Sequence, residues 1–368
     1  MTSIRFMPVL ALLSWIAPSY AMVMLDDDDL SRVTGQALFV SDMIAPTGAA
    51  GSTTDFTFFR MGLDVQLELN ANIDKMQLGC GGFNESIVGN ACDIDLDFVR
   101  LMGLNATGDG PGAAVDSSFT LRRPYIELAI RESGDGTREI SGVKIGSQEA
   151  NGFFGVGRTY ANGQVNQEHG GTCGGNTPAA RLACHSGINR LSGYIDAELS
   201  GQFPVSITLL GTQTACFGDV ANNNQCNTPY FVEIQGTRLN EIVEPGIPLT
   251  LSAGFLSAIG INQAYATIQQ NLRFIHGFAL DGTSDFFISF QRERVSYPTY
   301  DKQGYAQIAN AGWWMNVPQV NVKNFTGDTV SLGLGEALGA LSSPGPVVRD
   351  SELNTVPPVN CYGGSMFC

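Results

Sequence analysis

Past Phe39 the chain alternates apolar and polar residues with a period of two. Leu63, Val65, Leu67 and Leu69 alternate with Asp64, Gln66, Glu68 and Asn70. Ile94, Leu96 and Phe98 alternate with Asp93, Asp95 and Asp97, and Ile126, Leu128 and Ile130 with Glu127, Ala129 and Arg131. Ile195, Ala197 and Leu199 follow, then Phe286, Ile288 and Phe290, then Val330, Leu332 and Leu334. Successive side chains of a strand point to opposite faces, so each run has one apolar and one polar face. The pattern predicts antiparallel sheet with one face covered and one wet.

Turn signals separate the runs. Gly134-Asp135-Gly136 and Asp281-Gly282 each lie between two apolar runs, and Asp-Gly supplies the positive φ of a tight hairpin. Roughly ten to fourteen strands are expected. One stretch breaks the period: Tyr265, Ile268, Leu272 and Ile275 recur at three- and four-residue steps. This is either a helix starting near Asn262 or two short strands, the second running into an Asp281-Gly282 hairpin. The expected fold is all-β: a large, mainly antiparallel, sandwich-like domain with disulfide-stapled loops and at most one or two short helices.

The first 21 residues read as a secretory signal peptide: Arg5, an apolar stretch from Phe6 to Trp15, and small residues Ser19 and Ala21 before the cut. That stretch is too short to span a bilayer, and no later apolar run reaches helix-spanning length. Residues 22–40 form an acidic segment in which Asp26–Asp29 start a short helix and Gly35 ends it. Residues 41–341 are the β-rich domain. Residues 342–368 are a Pro-rich, irregular tail.

The cysteines are Cys80, Cys92, Cys173, Cys184, Cys216, Cys226, Cys361 and Cys368. They fall into four neighbour couples spaced by 12, 11, 10 and 7 residues, each bracketing a loop. Four local disulfides are expected, which fits an oxidising compartment. No Cys-x-x-Cys spacing occurs and there are only three His, which argues against a metal site.

The net charge of −15 lacks the basic footprint that nucleic acid or anionic lipid requires. Arg122-Arg123 and Arg292/Arg294 are expected to neutralise the acidic surface. Asp93, Asp95 and Asp97 share one strand face, read as solvated, with weak Ca²⁺ binding as the sharper alternative. His169 and His185 read as exposed loop residues, and His276, before Gly277, as a helix-end or turn residue. His185-Ser186 lacks a nucleophile elbow, and adjacent strand residues point apart. No catalytic trio, phosphate loop or cofactor fingerprint emerges, so no enzyme and no cofactor are expected. On a strand Trp313 and Trp314 point to opposite faces; core packing is the expected role, with a contact surface formed by the pair as the alternative.

The block Leu25-Asp26 through Leu30-Ser31-Arg32-Val33-Thr34-Gly35-Gln36-Ala37 resembles the mature N-terminus of a group of exported Gram-negative proteins. Leu69–Ile73, Gln77–Gly82, Ala91–Asp95, Leu191–Tyr194 and Ile261–Thr267 are similar to the FilA-like pilus-system surface proteins. The likeness runs from about residue 22 to about residue 335. It implies a cell-surface, pilus-associated or adhesion component with no catalytic residues to carry over. Its partners would be other surface proteins, met through a strand edge or a stapled loop. An outer-membrane β-barrel is the alternative, because alternating strands suit both. A periplasmic binding module would require an apolar pocket.

Overall fold

The computed structural model describes residues 38–45, 56–104, 106–107, 114–115, 117–132, 136–217, 230–351 and 359–360. The expected signal peptide, the acidic segment up to residue 37 and its expected helix, and Cys226, Cys361 and Cys368 lie outside the described residues.

In chain order the strands are β1 Phe39–Ile44, β2 Phe56–Leu63, β3 Gln66–Leu69, β4 Ala71–Leu78, β5 Ile94–Met102, β6 Ala106–Thr107, β7 Ala114–Val115, β8 Phe119–Glu132 and β9 Arg138–Gly155. They continue as β10 Arg158–Thr159, β11 His185–Ser186, β12 Ile188–Ile207, β13 Gly211–Phe217, β14 Tyr230–Leu239, β15 Glu241–Ala253 and β16 Gln263–Asn271. The last are β17 Gly277–Gln291, β18 Gly312–Thr326, β19 Val330–Leu332, β20 Val347–Arg349 and β21 Val359–Asn360. Strand makes up 62% and helix 8%, with three short α-helices among the described residues, so the fold is all-β.

One sheet holds 16 of these strands, along the path β1-β2-β8-β9-β17-β18-β12-β13-β15-β16-β20. Most pairs are antiparallel, while β12 runs parallel to β18 and β19, and β16 parallel to β20. Strand β5 folds back across this path. Its start pairs with β12 (Leu96↔Ile188, Ile94↔Leu191) and its end with β9 (Arg100↔Gly155, Met102↔Phe153). Strands β9, β17, β18, β12 and β5 therefore make a closed circuit of pairings. Such a circuit leaves those strands without a free edge where they pair.

A central core packs against it: Ile94, Leu96, Val99, Phe154, Ile195, Phe278, Leu280, Met315 and Val317. A second core joins β13, β15, β16, β20 and the helix Leu334–Gly339. A third packs Phe56, Phe58, Phe287 and Trp314 under Val295, Tyr297 and Ala309 of the segment between β17 and β18.

Several sequence expectations change. The ambiguous stretch at 262–275 is strand β16 followed by a 3-10 turn at Leu272–Phe274, because β16 pairs with β15 on one side and β20 on the other. Asp281-Gly282 is not a hairpin. Strand β17 runs through it and keeps pairing with β9 on both sides (Leu280↔Gly152, Thr283↔Ala150), so the positive φ of Gly282 serves a bulge. Strands β8 and β9, on either side of Gly134-Asp135-Gly136, do pair antiparallel, with Glu132 opposite Arg138. The tail is not wholly irregular: β20 extends the sheet, and Asn360 lies buried against Asn70 and Asn72.

The largest departure concerns which face is covered. Along β8, Glu127 is fully buried and Ile126 is 44% exposed, the reverse of the expected burial. The cause is the neighbouring strands. Arg60 of β2 and Lys144 of β9 pair directly with Glu127 in register, and the segment after β17 seals them in.

Candidate functional site

The three carboxylates of the 93–97 run do not converge. Asp93 lies at the entry to β5, where Arg238 Nε donates to Oδ1 at 2.8 Å, Asn84 Nδ2 to Oδ1 at 2.9 Å and the Trp313 amide to Oδ2 at 2.9 Å. Asp95 and Asp97 share the Lys75 ammonium, which lies 2.6 Å from each. Asn189 Nδ2 bridges both at 3.1 and 3.0 Å, and His169 Nε2 donates to Asp97 Oδ2 at 2.7 Å. Burial alone would raise Asp97. The hydrogen bonds from His169, Lys75 and Asn189 outweigh it and hold its carboxyl well below the usual range. Lys75 is raised despite burial, because both carboxylates favour its charged form. Thus Lys75 supplies the cation that separates Asp95 from Asp97. Among the described residues no group of three His, Cys, Asp or Glu converges as metal ligands would.

Two expected disulfides are present, Cys80–Cys92 and Cys173–Cys184, and Cys216 is also bonded. The Cys80–Cys92 loop is held a second time from below. The Arg238 guanidinium donates to Gly79 O at 3.0 Å, Val88 O at 2.8 Å and Gly81 O, besides Asp93. Gly79 must lack a Cβ here, since one would stand 2.4 Å from Asp93 Oδ2. Braced in this way, the loop presents Phe83 and Ile87 to solvent.

The sheet beside that loop has two unlike faces. On the inner face Asp42, Arg60, Glu127, Lys144, Ser289 and Trp314 stand opposite one another across six strands. Arg60 Nε lies 2.7 Å from Glu127 Oε2, and Lys144 Nζ 3.3 Å from Glu127 Oε1. Carbonyls of Pro298, Thr299 and Tyr300 accept from the two cations, and Tyr125 lies under both. Burial lowers the Lys144 ammonium against the opposing pull of Glu127.

On the outer face the rows are apolar. One runs Met61, Ile126, Ile145, Ile288, Met315, and the next Met43, Phe59, Leu128, Val143, Phe290, Trp313. Towards β18 these rows enter the central core. Towards β1 they lie open: Met43 is 67% exposed, Met61 57% and Ile145 58%. Trp314 is fully buried in the third core, while Trp313 meets Phe290 at 5.5 Å and Phe290 meets Phe83 at 6.2 Å between ring centroids, both pairs tilted. The stapled loop thus continues the apolar face. Its free side is the edge strand β1, which pairs only with β2 among the described strands.

The histidines are not all exposed loop residues. His169 stands at the surface, but His185 and His276 are buried and joined, His185 Nδ1 to His276 Nε2 at 2.9 Å. His276 Nδ1 faces Val156 O at 3.3 Å, which makes Nδ1 the donor and Nε2 the acceptor. Burial, with His185 adding to it, brings His276 down to about 3. Ser186 Oγ accepts from the Arg158 amide. The surface arginines pair with carboxylates: Arg123 with Asp64, Arg122 with Glu149 and Arg292 with Glu139.

Neither the buried charge row nor the open apolar face was singled out in sequence. Both sit in ordinary alternating strands, and the only signal is that several apolar runs share more apolar positions than one core needs. No protein-family model, curated protein or solved structure matches the chain.

Proposed function

We propose that this chain is a non-catalytic, exported cell-surface protein that works by contact, as a pilus-associated or adhesion component. The observation that carries the reading is the open apolar face of β1, β2, β8 and β9, bordered by a disulfide-braced loop and by β1, which pairs only with β2 among the described strands. Exposed apolar patches of this breadth mark interaction surfaces. A free edge offers main-chain hydrogen bonds to a partner strand. A loop held by both a disulfide and Arg238 loses little entropy when it docks.

A second reading, an outer-membrane β-barrel, is favoured by the same rows, since β2, β8 and β9 put charges inward and aliphatic side chains outward. Against it, the outward rows of β17 and β18 run into the central core rather than around a wall.

The two readings separate in native cells carrying Ile145→Asp, a change on an open position that leaves the core intact. The first expects wild-type protein in sheared surface material and loss of surface assembly in the variant. Recovery of wild type only in detergent-extracted outer membrane transfers the conclusion to the barrel. Unchanged assembly and attachment in the variant would reject the contact face.

A further inference from the structure

At the seam between the central and the second core, β12, β14, β15, β16 and β17 leave a cavity. Its volume is about 80 Å³. Protein interiors are packed like organic crystals, so a void of this size is not a packing remainder. Leu199, Val232, Ile234, Ile247, Ile268 and Phe278 form most of the wall.

Only two of the lining side chains are polar, Gln270 and Glu244. Gln270 is 4% exposed; its Oε1 accepts from the Ser351 amide at 3.0 Å, while its Nε2 has no partner among the described residues. A buried amide donor left unpaired has lost its water without gaining a partner. Any oxygen delivered to it supplies that partner. Glu244 is desolvated and lies near Glu233, so its carboxyl is raised. A second anion brought into this apolar space would meet both desolvation and repulsion.

We propose that the cavity binds a small neutral molecule with an alkyl body and a single acceptor oxygen, a ketone or ester rather than a fatty carboxylate. The chain lies among Val232, Ile234 and Phe278, and the oxygen accepts from Gln270 Nε2. This site is separate from the open sheet face and does not depend on its role.

The probes are hexan-2-one, n-hexane and hexanoate, titrated at neutral pH into the full chain and followed by saturation-transfer NMR. Hexan-2-one binds one site, and hexanoate binds about tenfold more weakly or not at all. Gln270→Leu weakens hexan-2-one by about fivefold or more and leaves n-hexane unchanged. Ile268→Phe, which fills the space from a half-buried wall position, removes binding of both while the melting transition persists. Equal loss of ketone and hydrocarbon in Gln270→Leu overturns the role of the amide. If no probe binds the wild-type chain, or if Ile268→Phe folds and still binds, the site itself is overturned.

Discussion

At the scale of the residue, the molecule hides charge where its neighbours can satisfy it. Glu127 is the hinge of the inner row, since its two carboxylate oxygens meet the two buried cations Arg60 and Lys144. Glu127→Gln removes the carboxylate in direct contact with both and is expected to cost about 3–5 kcal/mol, read as a lower urea midpoint with an unchanged slope. Replacing Arg60, Lys144 and Glu127 together by apolar residues of similar volume is expected to cost less than Glu127→Gln alone. His276 makes a prediction in pH. Its value falls from 6.5 unfolded to about 3 folded, so between these limits the unfolded chain binds a proton that the folded chain refuses. Stability therefore falls as pH falls through that window, by about 1.4 kcal/mol per pH unit from this group, and is unaffected by it above. Urea titrations from pH 6.5 to 5 should give a shallower slope for His276→Gln than for wild type. An identical slope would mean that the imidazole pair accepts a proton while folded. None of this was legible in sequence, where Glu127 looks like any outward strand carboxylate. Its partners come from strands 67 and 17 residues away.

At the scale of the element, alternation located the strands and misjudged some of their ends. The Leu63–Asn70, Ile94–Phe98, Ile126–Arg131 and Ile195–Ser200 runs all fall in or across strands. Asp281-Gly282 misled because the dipeptide encodes positive φ, which a bulge uses as readily as a hairpin, and the choice lies with the partner strand β9. The 262–275 stretch resolved as strand for the same reason: its hydrogen bonds are made by β15 and β20. Cysteine spacing was the better guide, since two nearest-neighbour bridges stand as expected. What spacing could not reveal is the second brace on the Cys80–Cys92 loop. Arg238→Met removes a buried cation from Asp93 and three loop carbonyls, and it is expected to destabilise the chain by about 3 kcal/mol or more. Limited proteolysis should then cut the loop near Phe83 while the bridge stays closed. Resistance equal to wild type would assign the loop's rigidity to the disulfide alone.

At the scale of the whole molecule, the all-β class and the antiparallel bias were readable, because they follow from a period of two and short turns. The closed circuit was not, because it rests on which strand meets which across long separations. The open apolar face escaped for a related reason: a period-two run says that one face is apolar and says nothing of what covers it. The circuit also carries a consequence in time. A ribosome makes β5 first and β18 last, so the ring has no complete form until residue 326 has appeared. The hairpin of β4 and β5 has local partners, but the far side of β5 waits for β9 and then for β12. Pairings this distant form slowly, and an edge left open invites the wrong neighbour. The chain thus spends its synthesis as an unfinished sheet, and shielding the free side of β5 during that interval is expected to raise the yield of folded protein.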